Sequence, residues 1–386
     1  MRVAVVHDWL YVVGGAERVL REIIKCYPQA DVFCLFDTLS DKDREFLGLG
    51  ETKTSFLQRA PFIKTKHRLY LPLMPLAVEQ FDLSSYDLVI SSSYAVARGV
   101  ITGPDTVHVS YVHSPMRYAW DLQHAQLRDG RLNRGVKSWL ARILLHYMRL
   151  WDTRTANGAD TIIANSRFVA RRIRKVYGRE AHVLYPPVTL AQATPAPTQP
   201  YFLTASRLVP YKNIDAIVAA FRQLPELKLV VTGDGPEAQR LKEMAGPNVV
   251  FEGFVANERL RTLMASTRAF VFAAEEDFGI VVVEALSEGA PVLALGRGGA
   301  KESLGDAATS RVGMFFDHAT PDEIASCIRN FVAQEGQFSR EACRQRAAQF
   351  SPGRFRREFK DIVEQTLAER LDQGDAKWMP SSPRAA

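Results

Sequence analysis

The sequence predicts an α/β protein built from two Rossmann-like domains, each with a parallel sheet. The chain has 386 residues, which is more than one hydrophobic core usually holds and suits two domains. In both halves, short apolar runs rich in β-branched residues alternate with amphipathic segments, as in parallel strands joined by crossover helices. Between the halves, residues 186–200 are rich in Pro, Ala and Thr and carry no charge, a composition that favours an extended linker.

The first half begins with the strand RVAVVHDW, and a helix follows from Gly15 to about Cys26. We predict four more strands in this half, in DVFCLF, DLVISSS, TVHVSYVH and DTIIANS. Together these segments define an N-terminal domain over residues 1–190. The second half repeats the alternation and defines a C-terminal domain over residues 200–354, with strands in YFLTASRL, KLVVTGDG, VVFEGF, AFVFAAEE and APVLALG.

The end of the chain reads as one more helix. After Phe350, the segment SPGRFRREFKDIVEQTLAERL places apolar residues three and four apart, which is the helical period. We expect this helix, at about residues 355–373, to complete the N-terminal domain. The tail from Gly374 to Ala386 is expected to be frayed.

Composition narrows the class of protein. It is 47% hydrophobic and 24% charged, as in ordinary globular proteins. The four cysteines form no CxxC pair and have no nearby histidine at metal-binding spacing, so neither a zinc site nor a disulfide framework is indicated, and a reducing cytoplasm fits best. No apolar run reaches the length that spans a bilayer, and the N-terminus reads as a strand and not as a signal peptide. We therefore predict a cytoplasmic protein.

The ends of the predicted strands are where a ligand is expected, because parallel α/β sheets bind ligands beyond their carboxyl ends. Two such domains facing each other would form a cleft. After the first strand, Gly14 and Gly15 precede a helix, and glycines before a helix N-terminus let phosphate approach the main chain. An ordinary strand-to-helix turn would have the same sequence, and the two interpretations stay open at this point.

Two cations follow the first strand of the second domain. Arg207 and Lys212 lie in SRLVPYKN, just before the helical segment IDAIVAAF. Cations at the mouth of a sheet suit a diphosphate, because they neutralise charge that develops on a leaving group. The alternative is a pair of solvated surface cations.

The strongest single signal is EEDFGIVVVEALSEGAPVLA, in which Glu276 and Glu284 have seven residues between them. Main-chain N–H groups of Phe278, Gly279 and Ile280 at the predicted helix start can point at phosphate or sugar. The two carboxylates can accept hydrogen bonds from hydroxyls at different ends of one ligand. The alternative is that both are acids stabilising a helix dipole, which would explain Glu276 better than Glu284.

Several motifs in this order resemble those of family 4 retaining glycosyltransferases of the GT-B fold, which has two facing Rossmann-like domains and an interdomain cleft. The resemblance runs through nearly the whole chain and is densest from Arg207 to Ser303. Its carriers are the two-glutamate element, SRLVPYKN, TGDGPE, FEGFV, PVLALGRGGAKES and the closing FSPGRFRREF.

The resemblance implies a role for each matching residue in the C-terminal domain, which would bind the donor. Arg207 and Lys212 would bind the donor diphosphate, Glu284 would accept from the ribose hydroxyls, and Glu276 would meet hydroxyls of the transferred sugar. The turn around Phe254 would cradle the base.

The N-terminal domain, which would bind the acceptor, has its own implied roles. Gly14 and Gly15 would lie against the phosphates. In YVHSPMRYAWD, His113 stands where the family has a histidine near the reacting sugar. A packed histidine at a strand end is the alternative for His113.

The resemblance also implies a reaction without a cofactor or metal. The diphosphate itself would help to deprotonate the acceptor, so no protein nucleophile is needed, and Arg, Lys and helix dipoles would replace a cation. One string resembles a metal-binding DxD motif, Asp41 and Asp43 in SDKDREF. We interpret it as a charged helix start at the surface.

A basic segment at residues 131–154 carries aromatic and apolar side chains at helical spacing, namely Trp139, Ile143, Tyr147 and Trp151. Such segments can lie in a membrane interface and attract anionic lipid, here at the cytoplasmic face of the inner membrane. A core-packed helix with a solvated basic side is the alternative. Nucleic-acid binding is not indicated, since no DNA- or RNA-binding signature accompanies the charge.

The resulting hypothesis is a hexosyltransferase that extends a lipid-linked or polysaccharide precursor. The strings HDWL, GGAE and HSPMRYAWD look most like mannosyltransferases of bacterial polysaccharide and lipopolysaccharide assembly, which makes GDP-mannose the first donor. A UDP-sugar donor is the alternative within the family. Two other classes stay open, a nucleotide-sugar epimerase and a non-catalytic scaffold subunit, although the latter would be expected to lose some of these site residues.

Overall fold

The computed structural model describes residues 1–129, 134–191, 196–306 and 311–372, with main chain only at 125, 126, 129, 371 and 372. The chain divides into two compact units, one of Met1–Tyr185 with the chain from Phe355 onward, the other of Pro186–Arg354. The division falls at the first residue of the predicted linker. Residues 192–195 of that linker, residue 373 and the predicted tail lie outside the described residues.

The described part of unit 1 contains a sheet of seven strands in the order β3-β2-β1-β4-β5-β6-β7, and all neighbouring strands are parallel. The central strands are buried along their whole length, which explains their near-continuous apolar sequences. The strands are β1 (Val3–His7), β2 (Asp31–Cys34), β3 (Thr52–Thr54), β4 (Leu88–Ser93), β5 (Val107–Val112), β6 (Thr161–Ala164) and β7 (His182–Val183).

Helices cover this sheet and close its core. The final helix belongs to this core, because Phe355, Phe359 and Val363 are fully buried in it together with β-strand side chains. The helices are α1 (Gly15–Cys26), α2 (Asp41–Leu47), α3 (Ile63–Lys66), α4 (Met74–Glu79), α5 (Gln123–Asp129), α6 (Val136–Thr155), α7 (Arg167–Tyr177) and the final helix α15 (Pro352–Asp372).

The described part of unit 2 has a parallel sheet of six strands in the order β10-β9-β8-β11-β12-β13. Its strands are β8 (Tyr201–Ala205), β9 (Lys228–Thr232), β10 (Val249–Gly253), β11 (Phe270–Phe272), β12 (Val292–Leu295) and β13 (Gly313–Phe316). Its helices are α8 (Ile214–Arg222), α9 (Ala238–Met244), α10 (Asn257–Ser266), α11 (Ile280–Ser287), α12 (Gly299–Leu304), α13 (Pro321–Ala333) and α14 (Arg340–Ala348).

The predicted α/β class with parallel sheets is confirmed, and every strand predicted from the sequence is present. Three strands were not predicted: β3, β7 and β13. All three lie at an edge of their sheet and have two to four residues. Of these, β3 and β7 are largely exposed, so burial does not impose an apolar pattern on their sequences.

None of the helices in the described ranges is long and apolar enough to cross a bilayer. The longest two, α6 and α15, have 20 and 21 residues, but charged side chains interrupt both.

Candidate functional site

In unit 1, buried polar side chains meet at the carboxyl ends of three neighbouring strands. His7 ends β1 and pairs in register with Ser92 of β4, and His113 directly follows β5. The Ser92 hydroxyl lies 3.1 Å from His7 Nδ1 and 2.9 Å from His113 Nε2. Exposure is 1% for His7, 0% for Ser92 and 9% for His113, so water does not compete for these hydrogen bonds.

The predicted glycine turn is linked to the same cluster. Gly14 precedes α1 and Gly15 is its first residue. The Glu17 side chain, on the first turn of α1, accepts the Gly14 N–H through Oε2 at 2.8 Å, and its Oε1 lies 3.4 Å from His7 Nε2. A continuous chain of polar contacts thus runs from the turn to His113.

Its surroundings keep His113 neutral. Burial, and to a smaller extent the neighbouring His7, lower the pKa of His113 to about 3. Aromatic rings pack around it, with the Tyr111 centroid at 5.1 Å and that of Tyr94 at 6.2 Å. His113 is therefore packed, as the alternative interpretation held, and is also at the sheet edge where ligands bind. A neutral imidazole there can donate or accept a hydrogen bond.

Acid should destabilise unit 1 through its buried neutral histidines. Burial also lowers the pKa of His108, to about 4, so between pH 6.5 and 4 an unfolded chain binds protons that the folded chain excludes. The free energy of unfolding should fall by roughly 1 kcal/mol per pH unit for each histidine in that window. Denaturant titrations at pH 7, 6 and 5 would measure this.

Tryptophan fluorescence reports on unit 1 in those titrations, since all five tryptophans of the sequence lie outside residues 186–354. A His108→Gln variant should lose about half of the slope. A stability that stays flat from pH 7 to pH 5 would contradict the lowered pKa values.

Four buried polar residues of unit 1 were not predicted from the sequence, namely His7, Asp8, Glu17 and Ser92. Asp8 is fully buried, and its carboxylate accepts four main-chain N–H groups at 2.6–3.0 Å from residues 94–97, the loop after β4. Two strings of the sequence could have pointed to three of them, since HDWL contains His7 and Asp8 and GGAE contains Glu17. Ser92 has no such signal, because a serine run is ordinary in a strand.

In unit 2, the two predicted cations lie in the loop after β8, as predicted. The Leu208 N–H donates to the Asp234 carbonyl at 2.9 Å, which fixes the loop against the turn after β9. Asn213 ends the loop with a φ of 54°, and its amide donates to the Ala273 carbonyl at 2.9 Å. Arg207 is exposed, whereas the Lys212 side chain is 11% exposed and forms an ion pair with Glu276.

Glycines hold the loop that carries Glu276. The Gly299 N–H donates to the Glu276 carbonyl at 2.8 Å. Gly298 has a φ of +66°, and a Cβ there would lie 2.5 Å from the same carbonyl oxygen. Any larger residue would displace the loop, so Gly298 and Gly299 fix the position of the main chain at Glu276.

The helix after this loop begins where the sequence predicts. Gly279 has a φ of +78° and α11 starts at Ile280. The Phe278 side chain is buried against Phe350, with centroids 5.5 Å apart, so Phe278 offers a ligand only its main chain. Glu284 is the fifth residue of α11 and lies on its half-buried side. A helix dipole acts most strongly within the first turn, and Glu284 lies beyond that turn.

Phe254 lies at the carboxyl-terminal ends of the same parallel sheet, but two strands away from the loop that carries Lys212. Phe254 follows β10 at the sheet edge and is 84% exposed. Strand β9 separates β10 from β8, whose loop carries Lys212.

No group of three or more His, Cys, Asp or Glu side chains is placed to hold a metal ion in the described ranges. The interpretation of Asp41 and Asp43 as a helix start is confirmed: α2 begins at Asp41, and the Ser40 hydroxyl accepts the Asp43 N–H at 3.2 Å.

Comparison with known proteins identifies the family. The model for glycosyltransferase family 4 matches residues 13–192, and the model for glycosyl transferases group 1 matches residues 189–350. The two matches follow one another and together cover both units. The chain belongs to glycosyltransferase family 4.

Relatives of this family 4 chain include transferases of different sugars. It is 26% identical to a sulfoquinovosyl transferase of Arabidopsis thaliana over 47% of this chain and 32% of that protein. It is 28% identical to a GDP-mannose-dependent α-(1-6)-phosphatidylinositol monomannoside mannosyltransferase of Mycolicibacterium smegmatis, over 47% of this chain and 55% of the relative. The matches thus span about half or less of these relatives.

A solved structure shows the same fold over nearly the full length. The Anabaena protein HepE, in complex with UDP and glucose, superposes with a TM-score of 0.67 and 20% identity over 94% of this chain and 99% of that one. The likeness confirms the GT-B class for this family 4 chain.

Proposed function

We propose that this protein is a retaining hexosyltransferase that uses a nucleoside diphosphate sugar, with GDP-mannose as the favoured donor. Its acceptor is a lipid-linked or polysaccharide-precursor saccharide. The observation that carries the proposal is the contact between Lys212 and Glu276. In a sugar nucleotide, the phosphate and the transferred sugar share a bond, so a cation for one and a carboxylate for the other should be neighbours.

The remaining donor contacts follow from the same placement. Arg207 adds a second cation for the diphosphate, and the main-chain N–H groups of Phe278, Gly279 and Ile280 face its oxygens at the start of α11. Glu284, one turn further, accepts from the ribose hydroxyls, and Phe254 meets the base. These cations and N–H groups supply the charge that a metal ion would otherwise provide.

In the reaction, the bond between the sugar C1 and the phosphate oxygen breaks, and a bond from C1 to the acceptor oxygen forms on the same face. The acceptor proton passes to the departing phosphate. Lys212 and Arg207 stabilise the charge that grows on this diphosphate. His113 meets the transferred sugar, and Gly14 and Gly15 meet the phosphates.

The donor assignment draws on relatives. The mycolicibacterial relative is GDP-mannose-dependent by name, which supports mannose. A UDP-sugar is the second candidate, because the Anabaena structure of the same fold holds UDP and glucose.

The test is consumption of sugar nucleotides by the purified protein in the presence of a bacterial lipid extract, with and without EDTA. Release of GDP from GDP-mannose with an α-linked product supports the proposal, since GDP-mannose is itself α-linked. Release of UDP from UDP-glucose would replace the donor. Isomerised sugar nucleotide without nucleotide release, or no consumption of any donor, would overturn the transferase assignment.

We also propose that unit 1 docks through α6 to the cytoplasmic face of the inner membrane. Its outer side is apolar along most of its length, with exposure of 64% at Trp139, 55% at Leu140 and 61% at Leu150, and cations lie beside it. An apolar side flanked by cations suits an anionic lipid surface. Residues 131–133 of the predicted segment lie outside the described residues.

The inner side of α6 is fixed to the unit. Trp151, predicted for the exposed face, is buried instead, and its Nε1–H donates to Glu79 Oε1 at 2.7 Å. Asp152 is fully buried, pairs with Arg98 and accepts from Trp120 at 2.7 Å. The helix is therefore anchored on one side and apolar on the other.

A Trp139→Glu/Ile143→Glu variant should sediment with anionic vesicles of phosphatidylglycerol and phosphatidylethanolamine at least tenfold less than wild type, since each substitution puts a negative charge in place of an exposed apolar side chain that would enter the lipid interface. Val332→Glu on α13, a half-exposed apolar position of unit 2, is the matched control. Equal sedimentation of both variants, or binding of wild type to neutral phosphatidylcholine vesicles alone, would contradict the docking surface.

A further inference from the structure

We infer that Glu17, His7 and Ser92 are positioning residues that hold His113 in one tautomer, with Nε2 protonated and Nδ1 offered as an acceptor to a sugar hydroxyl. The inference deepens the proposed function and rests on it, because it gives His113 a defined role toward the transferred sugar. None of the three touches substrate in this scheme. They act through His113.

The direction of the hydrogen bonds follows from the donors available. Both Glu17 oxygens serve as acceptors, one for the Gly14 N–H at 2.8 Å and the other toward His7 Nε2 at 3.4 Å. In the inferred scheme His7 carries a single proton, on Nε2 toward Glu17, so its Nδ1 is bare and accepts the Ser92 O–H at 3.1 Å. The hydroxyl has one proton, so toward His113 it can only accept.

His113 Nε2, 2.9 Å from the Ser92 oxygen, must then carry a proton. The ring stays neutral because it is buried, so its second nitrogen, Nδ1, has a free electron pair by valence. A nitrogen of this kind can accept a hydrogen bond from a sugar or acceptor hydroxyl. Which nitrogen carries the proton is thus set three groups away, at Glu17.

A second serine–histidine pair, between the neighbouring strands β4 and β5, provides an internal comparison. Ser91 lies 2.9 Å from His108 Nε2 and donates to the Ser110 hydroxyl at 2.9 Å. Because successive side chains of a strand point to opposite faces, this pair lies across the sheet from Ser92. It has the same chemistry and is as deeply buried, but it has no link to Glu17 or to the glycine turn.

The kinetic test compares Ser92→Ala with Ser91→Ala. Ser92→Ala should lower kcat by roughly 10- to 100-fold, the loss typical of removing a partner that orients a metal-bound histidine, with the Kd for the nucleoside diphosphate within twofold of wild type. Ser92→Thr should recover most of kcat, since it keeps the hydroxyl. Ser91→Ala should leave kcat within twofold, although it removes an equivalent pair of hydrogen bonds.

A double variant shows whether Ser92 acts through His113. In a His113→Ala background, Ser92→Ala should cause no further loss of kcat, because residues that act as a unit are not additive. Multiplicative losses, or equal kcat for Ser91→Ala and Ser92→Ala, would overturn the positioning role. Failure of the proposed function is distinguishable, since it would show in wild type as an absence of donor consumption.

A spectroscopic test needs no turnover. In protein with 15N-labelled histidine, the nitrogen chemical shifts of His113 should report a protonated Nε2 and a bare Nδ1. Glu17→Gln, a nearly isosteric change, should convert this into a mixture of tautomers, whereas Ser91→Ala should leave it unchanged. A wild-type His113 that is protonated at Nδ1, or a spectrum that Glu17→Gln does not change, would contradict the inference.

Discussion

Lys212→Ala is expected to lower kcat/KM for the sugar nucleotide by roughly 10- to 150-fold, mainly through kcat. The physical reason is the loss of a charged hydrogen bond to phosphate, worth about 1.5–3 kcal/mol. Charge on the diphosphate grows as the sugar departs, so the loss should be larger in the transition state than in the bound donor. Steady-state kinetics with calorimetric nucleotide binding would separate the two.

The matched control for this prediction is Arg268→Ala. Arg268 precedes β11, at the opposite end from Glu276, and forms a half-buried ion pair with Glu335. Breaking that pair should change stability but leave kcat within about twofold. If Lys212→Ala behaves like Arg268→Ala, the diphosphate role of Lys212 is wrong and the pair with Glu276 is structural.

Glu284→Ala is expected to raise the Kd for the nucleoside diphosphate by roughly 10- to 150-fold, because a carboxylate that accepts from hydroxyls contributes about 1.5–3 kcal/mol. Lys212→Ala should act mainly on kcat, whereas the loss in Glu284→Ala should appear in nucleotide binding, since the ribose does not change during transfer. Titration calorimetry with the free nucleotide measures it directly.

Glu288 offers the control for this second prediction. It caps α11 one turn after Glu284 and pairs with Arg261 at 2.8 Å. Glu288→Ala should leave the nucleotide Kd unchanged. A Glu284→Ala protein that loses its cooperative thermal transition would instead assign Glu284 a structural role.

Much of the fold could be predicted because its interior strands are buried on both faces. Runs such as VAVVH and KLVVT are apolar for this reason, and the period of the intervening helices places them as crossovers. The edge strands β3 and β7 could not be found in this way. They are short and largely exposed, so the sequence there is not constrained by a core.

Site residues could be predicted where their place in the sequence, directly after a strand, determines where they lie in the fold. Arg207, Lys212 and Glu276 could be placed because each follows a strand of a parallel sheet, and neighbouring strand ends meet. The ion pair of Lys212 with Glu276 depends on the pairing of β8 with β11, which sequence spacing does not contain.

The contacts around His113 were beyond sequence reasoning for a similar reason. His7, Ser92 and His113 are far apart in the chain, and only the order β1-β4-β5 joins them. Which side chains of α6 are exposed could be predicted only in part. Its helical period marks two sides, but burial of Trp151 depends on contact with Glu79 of α4.

The most direct test of the central claim is calorimetric titration of the protein with GDP and with UDP, each with and without EDTA. We expect micromolar or tighter binding of GDP that EDTA does not change and that Lys212→Ala weakens. Preference for UDP would keep the transferase and change the donor. Binding of neither nucleotide would contradict the claim that this chain holds a nucleoside diphosphate sugar.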